Sequence, residues 1–377
     1  MPGLNPAIDP DGLLEFSVVF TDRSLNHMSQ RFQQAMREIH AGLTEVYGAA
    51  RAVVVPGGGS YAMEAVARQF AGGKRVLVIR NGFFSYRWSQ IFAAGAIPAS
   101  ETVLKARRTG NAGPLDPFAP PPIDEAVAAI HAERPEVVFA PHVETASGII
   151  LPDPYVKALA DAAHEVGALF VLDCVASGCI WVDMRALGVD VLISAPQKGW
   201  SASPCAGLVM LNQAALEACR AAKSTSFAID LGTWLTIMEA YLNGGHAYHA
   251  TMPTDALIQF RDAMIATRAA GYEAMRAAPW EQGNAVRAML AARGVRSVAA
   301  EGFAAPGGVV CFTDDPEVQN GKKFAALGYQ SAAGVPLMVD EGADYKSFRL
   351  GLFGLDKLKD VPASLARLEA AFDAVFG

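Results

Sequence analysis

The stretch ISAPQKGWSASPCAGLVML, residues 193–211, places a lysine between two strand-like apolar runs. Lys198 follows the first run directly, and small residues and glycines come after it. These flanks predict a buried backbone, which a solvated surface lysine does not need. A lysine in such surroundings is typical of one that takes part in chemistry.

Composition limits the classes of protein to consider. The chain has 377 residues, of which 52% are hydrophobic and 18% charged, which favours two domains with a large core. The formal net charge of -7, without a basic stripe, argues against a nucleic-acid partner. The first residues have no basic start and no apolar segment of signal-peptide type.

Two further features bear on location. The apolar run ALFVLDCVASGCIWV, residues 168–182, is too short for a membrane span and contains Asp173, so no membrane association is expected. The five cysteines lie mostly in apolar segments, with no CxxC motif and no histidine at metal-ligand spacing. We therefore expect a reduced, cytoplasmic protein without a metal site.

Strand-like and helical segments alternate from about residue 50 to residue 215, the pattern of a parallel sheet covered by helices. The stretch RRTGNAGPLDPFAPPPIDE, rich in glycine and proline, predicts an irregular connection. The last two strands are expected to pair as a hairpin. The strand candidates are RAVVVPGG, KRVLVIRNG, PEVVFAPHVE, ALFVLDCVA, DVLISAPQKG and GLVML.

The pattern changes after residue 255. ALIQFRDAMIATRAAGYEAMRAA predicts one helix long enough to link two domains, and a terminal helix closes the chain. GVVCFTDD, GVPLMVDEG and KSFRLGLFG predict short strands between them. We thus expect an N-terminal segment over 1–20, a large α/β domain over 21–255 and a smaller α+β domain over 256–377.

A carboxylate and an amine follow strands of the predicted sheet. Asp173 ends LFVLD, and Lys198 follows a strand about one βα spacing later. Taken alone, Asp173 is better explained as a cap of the next turn. Together, the two suit a pyridine cofactor with an aldehyde, whose ring nitrogen the carboxylate keeps protonated and whose carbonyl the amine attacks. The ordinary lysine pKa of about 10.4 must then be lowered by burial or by a neighbouring cation.

A phosphate site is expected at the start of a helix. VVVPGGGSYAMEA reads as a strand, a glycine-rich turn and the first turn of a helix, where free N–H groups and the hydroxyl of Ser60 suit a phosphate. A plain turn explains the same residues nearly as well. The segment lacks the GK[ST] of a P-loop and does not complete the dinucleotide pattern GxGxxG.

Two more motifs complete the set. In NGFFSYRW, the ring of Phe83 or Phe84 is expected to lie against the cofactor, the other being a core aromatic. HVETASG, residues 142–148, begins at a strand end with polar residues in reach of a ring hydroxyl and substrate, although a helix cap is the alternative.

In this order, the motifs GGGSYAMEA, NGFF, HVETASG, VLDCVAS, SAPQKG, YHATMPT and FRLGLFG resemble those of the class V aminotransferases, which are fold-type I pyridoxal-phosphate enzymes. The likeness spans roughly residues 50–355 and is nearest to the alanine/serine–glyoxylate aminotransferase group. It implies a mostly parallel sheet of the seven-stranded type between helices, bound pyridoxal 5'-phosphate, and a homodimer with shared active sites.

The resemblance also implies roles for individual residues. Lys198 would hold the cofactor covalently and Asp173 would face its pyridine nitrogen. Arg349 would clamp the substrate carboxylate in a bidentate fork. The other implied contacts are Gly59, Ser60 and Gln197 to phosphate, Phe84 and Val175 to the ring faces, Thr145 to the ring hydroxyl, and Tyr248 and Thr251 to the phosphate of the neighbouring subunit.

Departures from the family pattern touch the substrate side. They are the N-terminal LEFSVVFTDRSLNHMSQRF, the SPCAG after the lysine, and Tyr61 before the helix. The expected reaction moves an amino group from a small amino acid, such as alanine or serine, to a 2-oxo acid such as glyoxylate or pyruvate. A lyase or desulfurase on the same fold and, more remotely, a non-catalytic binding protein stay open as alternatives. The incomplete glycine pattern disfavours a nicotinamide oxidoreductase.

Overall fold

The computed structural model describes residues 7–110 and 113–377. Its strands are β1 Arg51–Pro56, β2 Arg75–Arg80, β3 Ser100–Lys105, β4 Arg107–Arg108, β5 Phe118–Ala119, β6 Val137–Pro141, β7 Val143–Glu144, β8 Ile149–Ile150, β9 Leu169–Asp173, β10 Val191–Ser194, β11 Ala206–Leu211, β12 Gly308–Phe312, β13 Ala332–Ala333 and β14 Ser347–Gly351. Its helices are α1 Gln30–Tyr47, α2 Gly59–Phe70, α3 Phe83–Gly95, α4 Ile123–Glu133, α5 Asp153–Glu165, α6 Met184–Leu187, α7 Pro196–Gly199, α8 Gln213–Ala221, α9 Leu231–Leu242, α10 Thr254–Ala270, α11 Tyr272–Ala292, α12 Pro316–Gln319, α13 Lys322–Ala326, α14 Leu355–Leu358 and α15 Val361–Phe376.

A mostly parallel seven-stranded sheet forms the centre of the molecule, as the family resemblance implied. Its strand order is β1-β11-β10-β9-β6-β2-β3. Only β11 is reversed, because it pairs antiparallel with both β1 and β10, and this confirms the expected hairpin of the last two strands. Near-continuous apolar runs form the inner strands because helices cover both faces of such a sheet. The carboxyl ends of β1, β10, β9, β6 and β2 therefore meet along one edge.

A second sheet is built from the C-terminal residues. It has three strands in the order β12-β14-β13. Helices α11 and α15 pack on each other beside it, and Val286, Cys311, Phe348 and Phe372 belong to one buried apolar cluster. The proposed domain limits at residues 20 and 255 stay a prediction. Side chains of α10 such as Phe260 pack into the same core as the large sheet.

Three local predictions need correction or refinement. The predicted linking helix is interrupted at Gly271, whose φ of 89° ends α10 before α11 begins. GVPLMVDEG is not a strand, since the Glu341 carboxylate accepts the N–H groups of Leu337, Met338 and Val339 in place of a neighbouring strand. The irregular connection contains the short β4–β5 pair, and its residues 111–112 lie outside the described residues.

The edge strand β3 was not predicted. Its sequence SETVLK is polar, and the burial of its residues ranges only from exposed to intermediate. The described parts of the chain contain no helix of the length and apolarity that crossing a membrane requires.

The position of α2 depends on a glycine in the reversed strand. A Cβ on Gly207 would lie 2.5 Å from the Cβ of Ala62 and 2.7 Å from the carbonyl oxygen of Gly58. Contacts this short with backbone atoms cannot relax by rotation of a side chain. The absence of a side chain at Gly207 therefore lets the first turn of α2 rest directly on β11.

Gly207→Ala should accordingly lower the free energy of unfolding by about 1–3 kcal/mol, the usual cost of overpacking. Urea unfolding followed by circular dichroism measures it. Gly232→Ala in α9 is the matched control, because its nearest neighbour, an oxygen of Asp230, would lie at 3.4 Å, and alanine favours helix. Equal stability of the two variants would contradict the packing argument.

Candidate active site

A glycine turn between β1 and α2 forms one wall of the site. Gly57 has a φ of 124°, and a Cβ there would meet the ring of Tyr61 at 2.5 Å, so only glycine suits the position. Gly58 caps α2 without a side-chain hydrogen bond. The amides of Gly59 and Ser60 head the helix, where geometry gives them no intrahelical acceptor. This arrangement suits an anion.

The helix approaches the loop after β9 closely. A Cβ on Gly59 would lie 2.9 Å from Cγ2 of Val175. The absence of a side chain at Gly59 thus lets the predicted phosphate turn and the predicted ring-contacting valine lie side by side.

Asp173 ends β9, as predicted, and is buried. Its Oδ1 accepts the N–H of Val175 at 2.9 Å, so the aspartate does cap the following turn. Burial raises the pKa of Asp173 to about 6, and nearby Glu144 also raises it. The Val175 hydrogen bond, Lys198 and Arg87 lower it in part. The cap and the predicted cofactor contact are compatible, because only one carboxylate oxygen is used.

Lys198 lies in the helical turn α7, four residues beyond β10, and not at the end of the strand itself. Its Nζ is 5.7 Å from the ring centre of Phe84 and 5.7 Å from that of Phe353. Burial lowers its pKa, although the charge of Asp173 opposes this. Within the described residues Lys198 forms no salt bridge. An amine with a lowered pKa between two aromatic rings is suited to act as a nucleophile or base.

Glu144 holds the start of α3 in place, and the sequence analysis did not single it out. The side chain is fully buried after β6. Its carboxylate accepts the N–H of Phe84 at 3.2 Å, the N–H of Ser85 at 2.8 Å, the hydroxyl of Ser85 at 2.7 Å and the N–H of Ala146 at 3.0 Å. These bonds hold the first turn of α3, which carries Phe84. A glutamate after a strand in HVETASG was the available signal.

The small sheet contributes Arg349, from β14. Its Nε donates to the carbonyl of Ala333 at 2.8 Å, and its guanidinium carbon lies 5.6 Å from the ring centre of Phe84. Burial lowers its pKa, against the opposing charge of Glu144. Arg349 has no carboxylate partner among the described salt bridges. The structure thus brings Arg349 to the same aromatic ring as Lys198.

The remaining predicted residues fall into two groups. Gln197, beside Lys198, has its side-chain oxygen buried without a hydrogen-bond partner, and Thr145 directly follows Glu144. Tyr248 and Thr251 lie on the loop between α9 and α10 and hydrogen-bond each other at 3.2 Å. The Tyr248 ring is 5.5 Å from that of His27 and is 56% exposed. Among the described residues, this pair shares no hydrogen bond or ring contact with the cluster around Lys198 in its own chain.

Comparisons with known proteins identify the family to which this chain belongs. The family model described as aminotransferase class-V matches residues 15–314. The chain belongs to the class V aminotransferase family.

Individual proteins are similar to this chain over most of its length. A 2-aminoethylphosphonate–pyruvate transaminase of Paraburkholderia phymatum is 27% identical over 92% of this chain and 89% of its own. A protein named soluble hydrogenase 42 kDa subunit, of Anabaena cylindrica, is 25% identical over 98% of this chain and 91% of its own. The crystal structure of an alanine–glyoxylate aminotransferase of Nostoc sp. has a TM-score of 0.76 at 22% identity, covering 94% and 89% of the two chains.

These findings confirm the predicted fold type, enzyme class and cofactor: the enzyme is a pyridoxal-phosphate-dependent aminotransferase. Its own residues fit that cofactor. A buried carboxylate with one oxygen available suits a protonated pyridine nitrogen, and a buried amine of lowered pKa suits an aldehyde. The start of α2, which no side chain caps, suits a phosphate.

The raised pKa of Asp173 has a consequence for the apoenzyme. Its folded pKa of about 6 exceeds the ordinary value of 3.8. The folded state therefore disfavours the charged form, and this cost is absent below the ordinary pKa and complete above the folded one. Asp173→Asn removes the cost.

We expect the apo form of Asp173→Asn to gain stability over the apo wild type as pH rises. The gain should grow by on the order of 1 kcal/mol between pH 5 and pH 7.5. Urea unfolding at both pH values measures it. Asp183→Asn, an exposed helix cap, is the control and should show no such growth. A pH-independent difference for Asp173→Asn would show that the carboxyl is not perturbed by burial.

Proposed function

We propose that this aminotransferase moves an amino group from a small α-amino acid, such as alanine or serine, to a 2-oxo acid such as glyoxylate or pyruvate. The observation that carries the proposal is the position of Arg349. Its guanidinium has no carboxylate partner in the described structure and shares the Phe84 ring with the Lys198 amine. A planar fork of donors binds an α-carboxylate in two places, and the α-carbon attached to it would then lie within reach of Lys198.

Pyridoxal phosphate, when bound, supplies an electron sink for the bonds at the substrate α-carbon. Lys198, whose pKa burial lowers, would take the proton from that carbon and return it during the transfer. Asp173 would hold a proton on the pyridine nitrogen through its remaining carboxylate oxygen. Arg349 would orient the substrate by its carboxylate.

The remaining contacts follow from position in the motifs. Gly59, Ser60 and Gln197 would bind the phosphate, and Thr145 would hydrogen-bond the ring hydroxyl. Phe84 and Val175 would cover the two faces of the ring. Support comes from the close approach of Gly59 to Val175 and from the facing of Phe84 toward Lys198.

Pyruvate and glyoxylate, the proposed acceptors, occur in the names of relatives. These include 2-aminoethylphosphonate–pyruvate transaminase and alanine–glyoxylate aminotransferase. The desulfurase alternative needs a mobile cysteine nucleophile. Cys311 is fully buried in β12, and the other four cysteines are buried as well. No cysteine is therefore placed for that chemistry in this conformation.

Transfer of ¹⁵N tests the function directly. The purified enzyme with pyridoxal phosphate, ¹⁵N-alanine or ¹⁵N-serine and glyoxylate should form ¹⁵N-glycine, followed by mass spectrometry. Release of ¹⁵N-ammonia with pyruvate from serine, without labelled glycine, would instead establish a lyase.

Arg349→Lys should reduce the apparent affinity for the amino donor at least tenfold, since each charge-assisted hydrogen bond lost costs about 1.5–3 kcal/mol.

The matched control is Arg293→Lys, whose partly buried arginine pairs with the exposed carboxylate of Asp373. This variant should retain normal donor affinity. Pyridoxal-phosphate binding should survive in Arg349→Lys. If Arg349→Lys loses the cofactor, or turns over α-amino acids normally, Arg349 is structural and the carboxylate is bound elsewhere.

We also propose that the active unit is a homodimer in which Tyr248 and Thr251 complete the phosphate site of the partner chain. The separation of Tyr248 and Thr251 from the Lys198 cluster of their own chain supports the homodimer. So does the exposed apolar surface around them, where Phe227 is 76% exposed and packs on His249.

Complementation tests the shared site. Lys198→Ala and the double variant Tyr248→Ala, Thr251→Ala should each have little activity alone. In a mixed dimer, one site combines both defects and the other has neither. Co-expression should therefore restore roughly a quarter of wild-type activity if the chains pair at random. Activity no greater than the sum of the two parents would contradict shared sites.

A cytoplasmic location and the absence of a nucleic-acid partner complete the proposal. All five cysteines are unpaired and buried, which suits a reducing compartment. The formal net charge of -7 disfavours binding to phosphate backbones. Fractionation of cells with an antibody to the protein tests the location.

A further inference from the structure

Arg87 lies on α3, close to one helical turn beyond Phe84. Its guanidinium carbon is 5.2 Å from the centre of the Phe84 ring. Its Nη1 donates to Oγ of Ser60 at 2.7 Å. Arg87 therefore bridges the starts of α2 and α3, immediately beside the glycine turn.

The charge of Arg87 has no counter-ion in the described structure. No carboxylate oxygen lies within salt-bridge distance of it, whereas Arg68 on the neighbouring helix α2 pairs with Glu64 at 2.7 Å. The charge of Arg87 nevertheless reaches the site, because it lowers the pKa of both Asp173 and Lys198. An unpaired cation directed at an uncapped helix start is suited to an anion.

Two guanidinium groups that have no carboxylate partner in the described structure thus lie near the Phe84 ring. Arg349 reaches it from the small sheet, and Arg87 reaches it from the side of Ser60. A flat cofactor lying on this ring would have one cation at its phosphate end and another at the substrate end. The hydrogen bond to Ser60 assigns Arg87 to the phosphate end.

We propose that Arg87 binds the cofactor phosphate directly. Its guanidinium would reach the phosphate from the side of Ser60, to which it already donates a hydrogen bond. The proposal rests on the proposed function of the glycine turn as the phosphate site. A phosphate ester carries about 1.5 to 2 negative charges at neutral pH. The start of a helix offers roughly half a positive charge, and Arg87 would add a full positive charge to it.

The experiment compares two ligands that differ only in the phosphate. Apoenzyme is titrated with pyridoxal 5'-phosphate and, separately, with pyridoxal, and the dissociation constants are read from visible absorbance. Arg87→Gln should weaken binding of pyridoxal phosphate by about tenfold to a hundredfold, the loss expected for one charge-assisted hydrogen bond. Binding of pyridoxal should change less than about twofold.

Arg87→Lys keeps the charge and should lose less affinity than Arg87→Gln. The control is Arg68→Gln, whose arginine pairs with Glu64 and not with the turn, and it should bind both ligands as the wild type does. Raising the salt concentration should weaken pyridoxal-phosphate binding more in the wild type than in Arg87→Gln.

Other results would overturn the proposal. Equal weakening for both ligands would show that Arg87 only positions Phe84. Unchanged affinities, with altered Michaelis constants for acidic amino donors alone, would assign Arg87 to a substrate side chain. If wild-type apoenzyme binds neither ligand, the proposed function itself fails, which separates that outcome from a failure of Arg87 alone.

Discussion

The site depends on the burial of two opposite charges that do not pair directly. Asp173 and Lys198 end up near each other at the edge of the sheet, yet no salt bridge joins them. Burial pushes the pKa of the carboxyl up and that of the amine down, so both groups move toward their neutral forms. Burying these two groups without a bound molecule lowers the stability of the fold. A bound molecule that presents a cation to Asp173 and a carbonyl to Lys198 suits both groups.

The parallel sheet makes this arrangement possible. Because β1, β10, β9, β6 and β2 run the same way, the residues that follow them gather at one edge. Helices α2 and α3 start there, and Glu144 ties the start of α3 to the loop after β6. Gly207 and Gly59 let α2 come close enough to share that edge. Arg349 reaches the same place from the second sheet, so that substrate recognition depends on the position of the C-terminal residues.

Much of this could be predicted from local sequence. The inner strands are continuous apolar runs; Asp173 is the last residue of one, and Lys198 lies in the helical turn that follows another. Contacts between residues far apart in the sequence could not be predicted from local patterns. Arg87 lies among aromatic residues in NGFFSYRW, and only the fold shows that it meets Ser60. Glu144 was passed over because its partners are backbone amides about 60 residues away in sequence.

The errors have physical causes as well. β3 is an edge strand, and its polar residues give no apolar pattern to detect. GVPLMVDEG has the apolar character of a strand, yet Met338 and Asp340 adopt positive φ and a glutamate satisfies the local amides. One glycine at residue 271 converts a continuous helical pattern into two helices. Side-chain hydrogen bonds and backbone turns decided the last two cases, and hydrophobic periodicity does not report either.

The attachment site of the cofactor tests the central claim most directly. The holoenzyme, reduced with borohydride and digested, should yield one peptide whose mass includes the reduced cofactor, with fragmentation placing it on Lys198. The visible absorbance should disappear on reduction, and Lys198→Ala should yield no modified peptide. Modification of another lysine, or a protein that binds no pyridoxal phosphate under reconstitution, would contradict the assignment of this edge of the sheet as the active site.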